Sequence, residues 1–287
     1  MKREMMFVLV TFFALAFTFG CINGGGEKTN ESSTGNGYTI NVNPRTIISE
    51  GVITIELRLN NIFENDMTGV EAKIKDIPST FTGTDPVSEI TIVKGQEYPI
   101  IWSITSPSTE LKQNINPKVE VCFNYTTNFY FDTAIVPRDL TTEETQVQNG
   151  YSNGPVTVTQ MGLDKIFLKN GGTGYTTGSL DIKNNWQGHI KSINNITIIP
   201  SEGLSAGIKY ASCGGEDSTS ITPTTEGCDI LSNNLAIGDG LITTIKLTTE
   251  YSGDSIKTER TNGEVDYTYC YDIPVGTITV CPVGQRC

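Results

Sequence analysis

The chain has one histidine in 287 residues, His189, and no Cys-x-x-Cys. It has no basic cluster and almost no stretch with helical periodicity. Each absence excludes something. A hydrolytic triad needs a histidine or a substitute base beside its nucleophile. His189 lies in Trp186-Gln187-Gly188-His189 and reads as an exposed turn residue. Asp132-Thr133-Ala134 resembles the aspartic-protease Asp-Thr-Gly only faintly, and such a site needs two carboxylates sharing a proton. No catalytic residue is expected. Zinc wants about four nitrogen or sulfur ligands at close spacing. Glu216, Asp217, Asp229 and Asp239 follow no EF-hand or nonapeptide pattern. No metal and no other cofactor is expected. Net charge is −12, from 20 basic and 32 acidic residues. Nucleic acid is excluded as a partner, because neutralising phosphates takes concentrated positive charge.

One long apolar run is present, and it stands at the N-terminus. Lys2 and Arg3 precede Met5 to Phe19, and the run ends at Gly20-Cys21. A charged start followed by an apolar stretch reads as an export signal. As a helix it would span about 22 Å, short of a hydrocarbon core of about 30 Å. Three readings compete: a lipoprotein signal cut before Cys21, with lipid on its sulfur; an uncleaved membrane anchor; and an ordinary cleaved signal. Residues 1–21 are therefore assigned as signal or anchor. Residues 22–37 are Gly, Asn, Ser, Thr, Glu and Lys almost throughout. They bury too little apolar area to offset their ordering entropy and read as a tether.

About 250 residues remain. Their runs alternate strictly, which marks strands with one buried face. Ile53, Ile55, Leu57 and Leu59 alternate with Thr54, Glu56 and Arg58. Val70, Ala72 and Ile74 do so with Glu71 and Lys73, and Val119, Val121, Phe123 and Tyr125 with Glu120, Cys122 and Asn124. Pro78, Gly83, Pro86, Gly95, Pro107 and Pro117 punctuate the runs. Alternation of this kind belongs to antiparallel sheets.

The second half repeats the first. Leu59-Asn60-Asn61-Ile62 has its counterpart in Ile182 to Trp186, and Ile92 to Thr105 in Ala236 to Thr248. Val119 to Phe123 matches Tyr267 to Tyr271. Each copy is expected to close with a hairpin and a β run into proline, Ala134 to Pro137 and Ile278 to Pro282. The fold class expected is all-β, with two tandem immunoglobulin-like antiparallel β-sandwich domains. The first is placed at 38–137, a polar linker at 138–154 and the second domain at 155–287.

In layout the chain resembles archaeal cell-surface lipoproteins: a lipoprotein-type signal ending at Cys21, a Ser/Thr/Gly tether, and tandem immunoglobulin-like domains. That resemblance implies a place at the cell surface, outside the cytoplasmic membrane. It carries no motif with assigned binding residues.

Cysteine usage fits export. Setting Cys21 aside leaves six. Parity turns Cys270 and Cys281 outward on strands expected to form a hairpin around Pro274 to Gly276, so they are expected to pair. Cys213 and Cys228 flank a polar excursion, and a bridge there would contribute on the order of 3 kcal/mol. Cys122 and Cys287 remain, to bridge the two domains, or Cys287 to pair with Cys281. Three N-glycosylation sequons begin at Asn30, Asn124 and Asn195.

The function expected is that of a non-enzymatic, membrane-anchored extracellular protein, structural, adhesive, or binding protein or glycan. The alternative is a solute- or substrate-capture lipoprotein serving a transporter or secreted enzyme, which would need a deep pocket. A hydrolase with an unrecognised carboxylate site comes last. Trp102 and Trp186 are the large aromatics that would meet a ligand, and both read as core.

Overall fold

A computed structural model describes residues 37–140, 147–170, 172–210, 213–218, 220–221 and 240–284. The expected signal or anchor, nearly all of the tether, and with them Cys21 and Asn30, lie outside the described residues. So do Cys228, Cys287 and the side chain of Cys213, and with them the expected Cys213–Cys228 pair. The described residues belong to one compact unit and contain no helix. The chain is all-β, built of several sheets that are mostly antiparallel.

The first half contributes β1 (Tyr38–Asn43), β2 (Thr46–Ile48), β3 (Val52–Asn60), β4 (Met67–Lys75), β5 (Val87–Ile92), β6 (Glu97–Thr105), β7 (Gln113–Ile115) and β8 (Lys118–Val136). The second contributes β9 (Asn149–Tyr151), β10 (Val156–Met161), β11 (Lys165–Phe167), β12 (Thr173–Asn184), β13 (His189–Pro200), β14 (Ser205–Tyr210), β15 (Cys213–Ser218), β16 (Ser220–Ile221), β17 (Gly240–Glu250), β18 (Lys257–Pro274) and β19 (Ile278–Cys281). The parity read from the sequence holds. Ile53, Ile55, Leu57 and Leu59 are buried, as are Val70, Ala72 and Ile74, and Val119, Val121, Phe123 and Tyr125.

The pairings repeat. In the first half β3 lies between β1 and β6, while β4 pairs with β8. In the second, β12 lies between β10 and β17, while β13 pairs with β18. Each half therefore has a covering sheet of its own. The first sends β4, β5 and β8, and the second β13, β16 and β18, into one common sheet, ordered β16-β13-β18-β8-β4-β5. The inner faces join in a single apolar core.

The expected hairpins after Tyr125 and Tyr271 do not form as drawn. β8 runs straight for 19 residues and β18 for 18, and the two pair antiparallel from Lys118–Pro274 to Ile135–Lys257. The end of β8 then takes β11 of the second half as a parallel neighbour, Ala134 to Val136 against Lys165 to Phe167. Reciprocally, β19 at the end of the second half pairs parallel with β2 of the first and antiparallel with β7. Each copy thus ends in the other. Residues 138–154 separate the copies along the chain but not in the sheets, and β9, inside that span, pairs with β8.

One local motif fixes the correspondence. Asn61 Nδ2 donates to the carbonyl of Asn65 and Asn61 Oδ1 accepts from the Phe63 amide. Asn184 does the same with Gly188 and Trp186. The Asn65 amide donates to the Tyr125 hydroxyl at 2.9 Å, and the Gly188 amide to that of Tyr269 at 2.8 Å. Tyr125 therefore corresponds to Tyr269, and the alignment of Val119–Phe123 with Tyr267–Tyr271 is corrected by this bonding. The motif's aromatics, Phe63 and Trp186, meet edge to face with centroids 5.0 Å apart. Around them gather Phe123, Tyr125, Tyr269 and Tyr271. That aromatic knot is where the two copies share a core. Trp186 is half-buried there. Trp102 is buried in the first copy, its indole N–H donating to the Asp85 carbonyl. Both fill core, as their sequence context suggested.

Candidate functional site

The β8–β18 ladder has two faces of opposite chemistry. Inward stand Phe123, Tyr125, Phe129, Phe131, Tyr267, Tyr269 and Tyr271, all buried. Burial raises the hydroxyl pKa values of Tyr267 and Tyr271, and pushes that of Tyr269 up to about 12. These hydroxyls are structural: those of Tyr125 and Tyr269 hold backbone amides, and Tyr267 meets Thr127 Oγ1 at 3.0 Å.

Outward stands a polar stripe, built rung by rung from in-register pairs. At one end Glu120 accepts from Lys73 at 2.8 Å and from Lys75. Partial burial raises its pKa, but the two ammonium groups outweigh that, and the net shift is downward. The next rung is a disulfide, Cys122–Cys270, between residues directly opposite each other. Then come Asn124 opposite Thr268, and Thr126 donating to Asp266 Oδ1 at 2.6 Å. At the far end Arg260 grips Asp132 with two hydrogen bonds, of 2.7 and 3.1 Å, and its guanidinium lies 4.4 Å from the centre of the Tyr130 ring. The Arg260 bonds hold the Asp132 carboxyl below its ordinary range.

The disulfide corrects the expected Cys270–Cys281 pair. Parity places a side chain on a face but does not choose its neighbour strand. β18 lies beside β8, not β19, so Cys270 meets Cys122. β19 leaves to pair with β2 and β7, which buries Cys281 in another sheet. Cys281 is itself disulfide-bonded, to a partner other than Cys270. Asp132, the carboxylate of the protease-like Asp-Thr-Ala, belongs to an ion pair with arginine and does not share a proton with a second carboxyl. His189 is exposed and opens β13 opposite Cys270. Among the described residues no group of histidine, cysteine, aspartate and glutamate is arranged to hold a metal.

Open grooves flank the stripe. One, of about 670 Å³, runs past Asn124, Thr126 and Asp266, with Thr68, Lys94 and Asn194 on its walls. Another, of about 510 Å³, continues past Asn128, Tyr130, Asn262 and Glu264 to the exposed Tyr151 and Ile199. A third, of about 500 Å³, lies against the second copy's covering sheet. There Tyr175 is exposed and Lys169 Nζ sits 4.5 Å from its ring centre, a cation–π contact, with Lys246 Nζ at 5.9 Å. Tyr175 stands outside the residues that sequence reasoning singles out. Its signal was an aromatic at an outward position of an alternating strand. Among the described residues no helix is long and apolar enough to cross a membrane.

The fold therefore defines an all-β chain of paired sandwich layers. No protein-family model matches it, and no curated protein does. Solved structures with some likeness include the secreted serine protease VesC of Vibrio cholerae, at 10% identity and TM-score 0.20, covering 77% of this chain and 48% of that one. Red sea bream transglutaminase is 8% identical at TM-score 0.21, covering 87% and 32%. The collagen adhesin of S. aureus is 10% identical at TM-score 0.12, covering 84% and 90%. The chain spans about half the length of the protease and a third of the transglutaminase. Scores this low carry no inference about activity, partner or ancestry.

Proposed function

We propose that this chain is an extracellular surface protein, held at the membrane through its N-terminal segment, with lipid on Cys21 as the anchor. Its role is structural or adhesive, or the binding of a protein or glycan partner, and it is not an enzyme. The observation that supports this reading most is the Cys122–Cys270 bridge. It ties together the two longest strands, 148 residues apart in sequence. Bridges of this kind persist in oxidising compartments and are rare where thiols are kept reduced. The buried, shared aromatic core also suits a protein that must stay folded outside the cell. The grooves lie on the outer faces of sheets, which fits contact with an extended partner better than enclosure of a small solute.

The test is the intact mass of the protein from its own membranes, before and after reduction, with surface labelling of whole cells. The expected mass begins at Cys21, includes lipid, and gains one hydrogen per half-cystine on reduction. A chain that keeps Met1, or resists labelling and gains nothing on reduction, contradicts the reading.

A further inference from the structure

Two of the three sequons meet on the outer face of the common sheet, on either side of β18. Thr126, the hydroxyl residue of the first, stands opposite Asp266 from one side, and Asn195, which opens the second, stands opposite it from the other. The two asparagines are held very differently. We propose that Asn124 carries an N-linked glycan and that Asn195 does not. This inference rests on the extracellular reading above, because glycan transfer of this kind happens to exported chains.

A relay of hydrogen bonds orients the Asn124 amide. Ser192 Oγ donates to Asn194 Oδ1 at 2.9 Å, and Asn194 Nδ2 donates to Thr268 Oγ1 at 3.3 Å. The Thr268 hydroxyl then spends its one proton on Asn124 Oδ1, at 2.8 Å. The amide oxygen is thus fixed toward β18 and the nitrogen turned toward β4. There β4 bulges between Thr68 and Glu71, and Gly69 sits at φ +55°. A Cβ at Gly69 would stand 2.9 Å from Asn124 Nδ2. With none, the nitrogen stays open. Among the described residues no acceptor meets it, and the side chain is exposed beside the 670 Å³ groove. That groove is within the size range of ligand sites, about 300–1,000 Å³, so the first sugars have a bed along the stripe. Asn195 is the opposite case. It is half-buried, and its Nδ2 already donates to Thr197 Oγ1, the hydroxyl of its own sequon, at 3.0 Å.

The co-reactant is a lipid-phosphate-linked saccharide, brought by a membrane transferase. A bond forms between Asn124 Nδ2 and the anomeric carbon. The bond from that carbon to the phosphate oxygen breaks, and the lipid phosphate leaves with the electron pair. The proton lost from Nδ2 goes to a base of the transferase. The product covers the stripe between the disulfide and the Asp132–Arg260 pair, which leaves the two covering sheets as the faces open to a partner.

Glycopeptide mass spectrometry of the full chain from the cells that make it tests this directly. The expected result is a glycan on the peptide containing Asn124 and a bare peptide containing Asn195. In the intact chain, Asn124→Gln should lose the mass of one whole glycan, and Asn195→Gln should lose none. A bare Asn124 in protein that is lipidated and labelled at the surface overturns this inference and leaves the extracellular reading standing. A glycan on Asn195 also overturns it. A chain never exported overturns both.

Discussion

The two copies use the same parts at the same places, yet neither is complete. In the first, Asn61 braces the turn that delivers Phe63, and Tyr125 receives the Asn65 amide. In the second, Asn184, Trp186, Tyr269 and Gly188 take those roles. The differences are local. Asn65 Nδ2 donates to the Thr126 carbonyl at 2.7 Å. Its counterpart is Gly188, and a Cβ there would lie 2.2 Å from the Cys270 carbonyl oxygen. One copy braces that carbonyl with a side chain, and the other approaches it so closely that only glycine fits. What the copies share at a larger scale is dependence. β8 begins in the first copy and ends beside β11 of the second, and β19 returns to β2 of the first. The repeated pairings make one compact unit in which each half takes the other's last strand.

The comparison breaks most sharply at its shared core. Phe63→Ala removes an almost fully buried ring from the knot and should cost about 3–5 kcal/mol. If the copies fold as one, the whole molecule should still melt in a single transition at lower temperature, as calorimetry would show. A second-copy transition left at its original temperature would mean that the halves fold apart. Opening Cys122–Cys270 comes next. Cys122→Ala with Cys270→Ala should cost about 2–4 kcal/mol in denaturant unfolding.

The asparagine turns sharpen the parallel. Asn61→Ala and Asn184→Ala each strip three hydrogen bonds, two of them within the turn, at about 1–3 kcal/mol. Asn61 is 1% exposed and Asn184 only half-buried, so the first should cost more. Equal losses would contradict the weight given to burial.

The smallest effects are those of pH. The Asp132 and Glu120 carboxyls titrate below their ordinary values in the folded chain. Their contribution is present above the unfolded value, about 4, and disappears as pH falls through the folded one. Replacing Asp132 by Asn should flatten stability against pH in that acid range and lower neutral stability by the same amount, a small one since Arg260 is about half exposed. Tyr269 works at the other end. Its folded value of about 12 lies above an unfolded value of about 10. Stability should hold below pH 10 and fall between 10 and 12, and Tyr269→Phe should soften that fall.

Much of this was legible residue by residue. The alternation of Ile53 to Leu59 and of Val119 to Tyr125 named the buried faces correctly, because parity is a local property of a strand. The echo of Asn60-Asn61 in Asn184-Asn185 was visible too, although the bonding, which pairs Asn61 with Asn184 and Phe63 with Trp186, was not. Partner choice was not legible. Cys270 was rightly turned outward and wrongly matched, because which strand lies alongside is decided by contacts more than a hundred residues away. One local signal did bear on it: no glycine or proline interrupts Lys118 to Val136, so nothing there invites a hairpin. The outer stripe was harder still. Asn124 and Thr268 become neighbours only through the β8–β18 register, and the opening above Asn124 depends on a bulge at Gly69 that no periodicity announces.

The most direct test of the strand exchange is to cut the chain once between residues 140 and 147, reduce the disulfides, and pass the product over a sizing column. Reciprocal exchange predicts a 1:1 complex of the two fragments, held by the β8–β18 ladder and the aromatic knot and melting as one. Two folded fragments that separate and melt independently would show a tandem pair of closed domains instead.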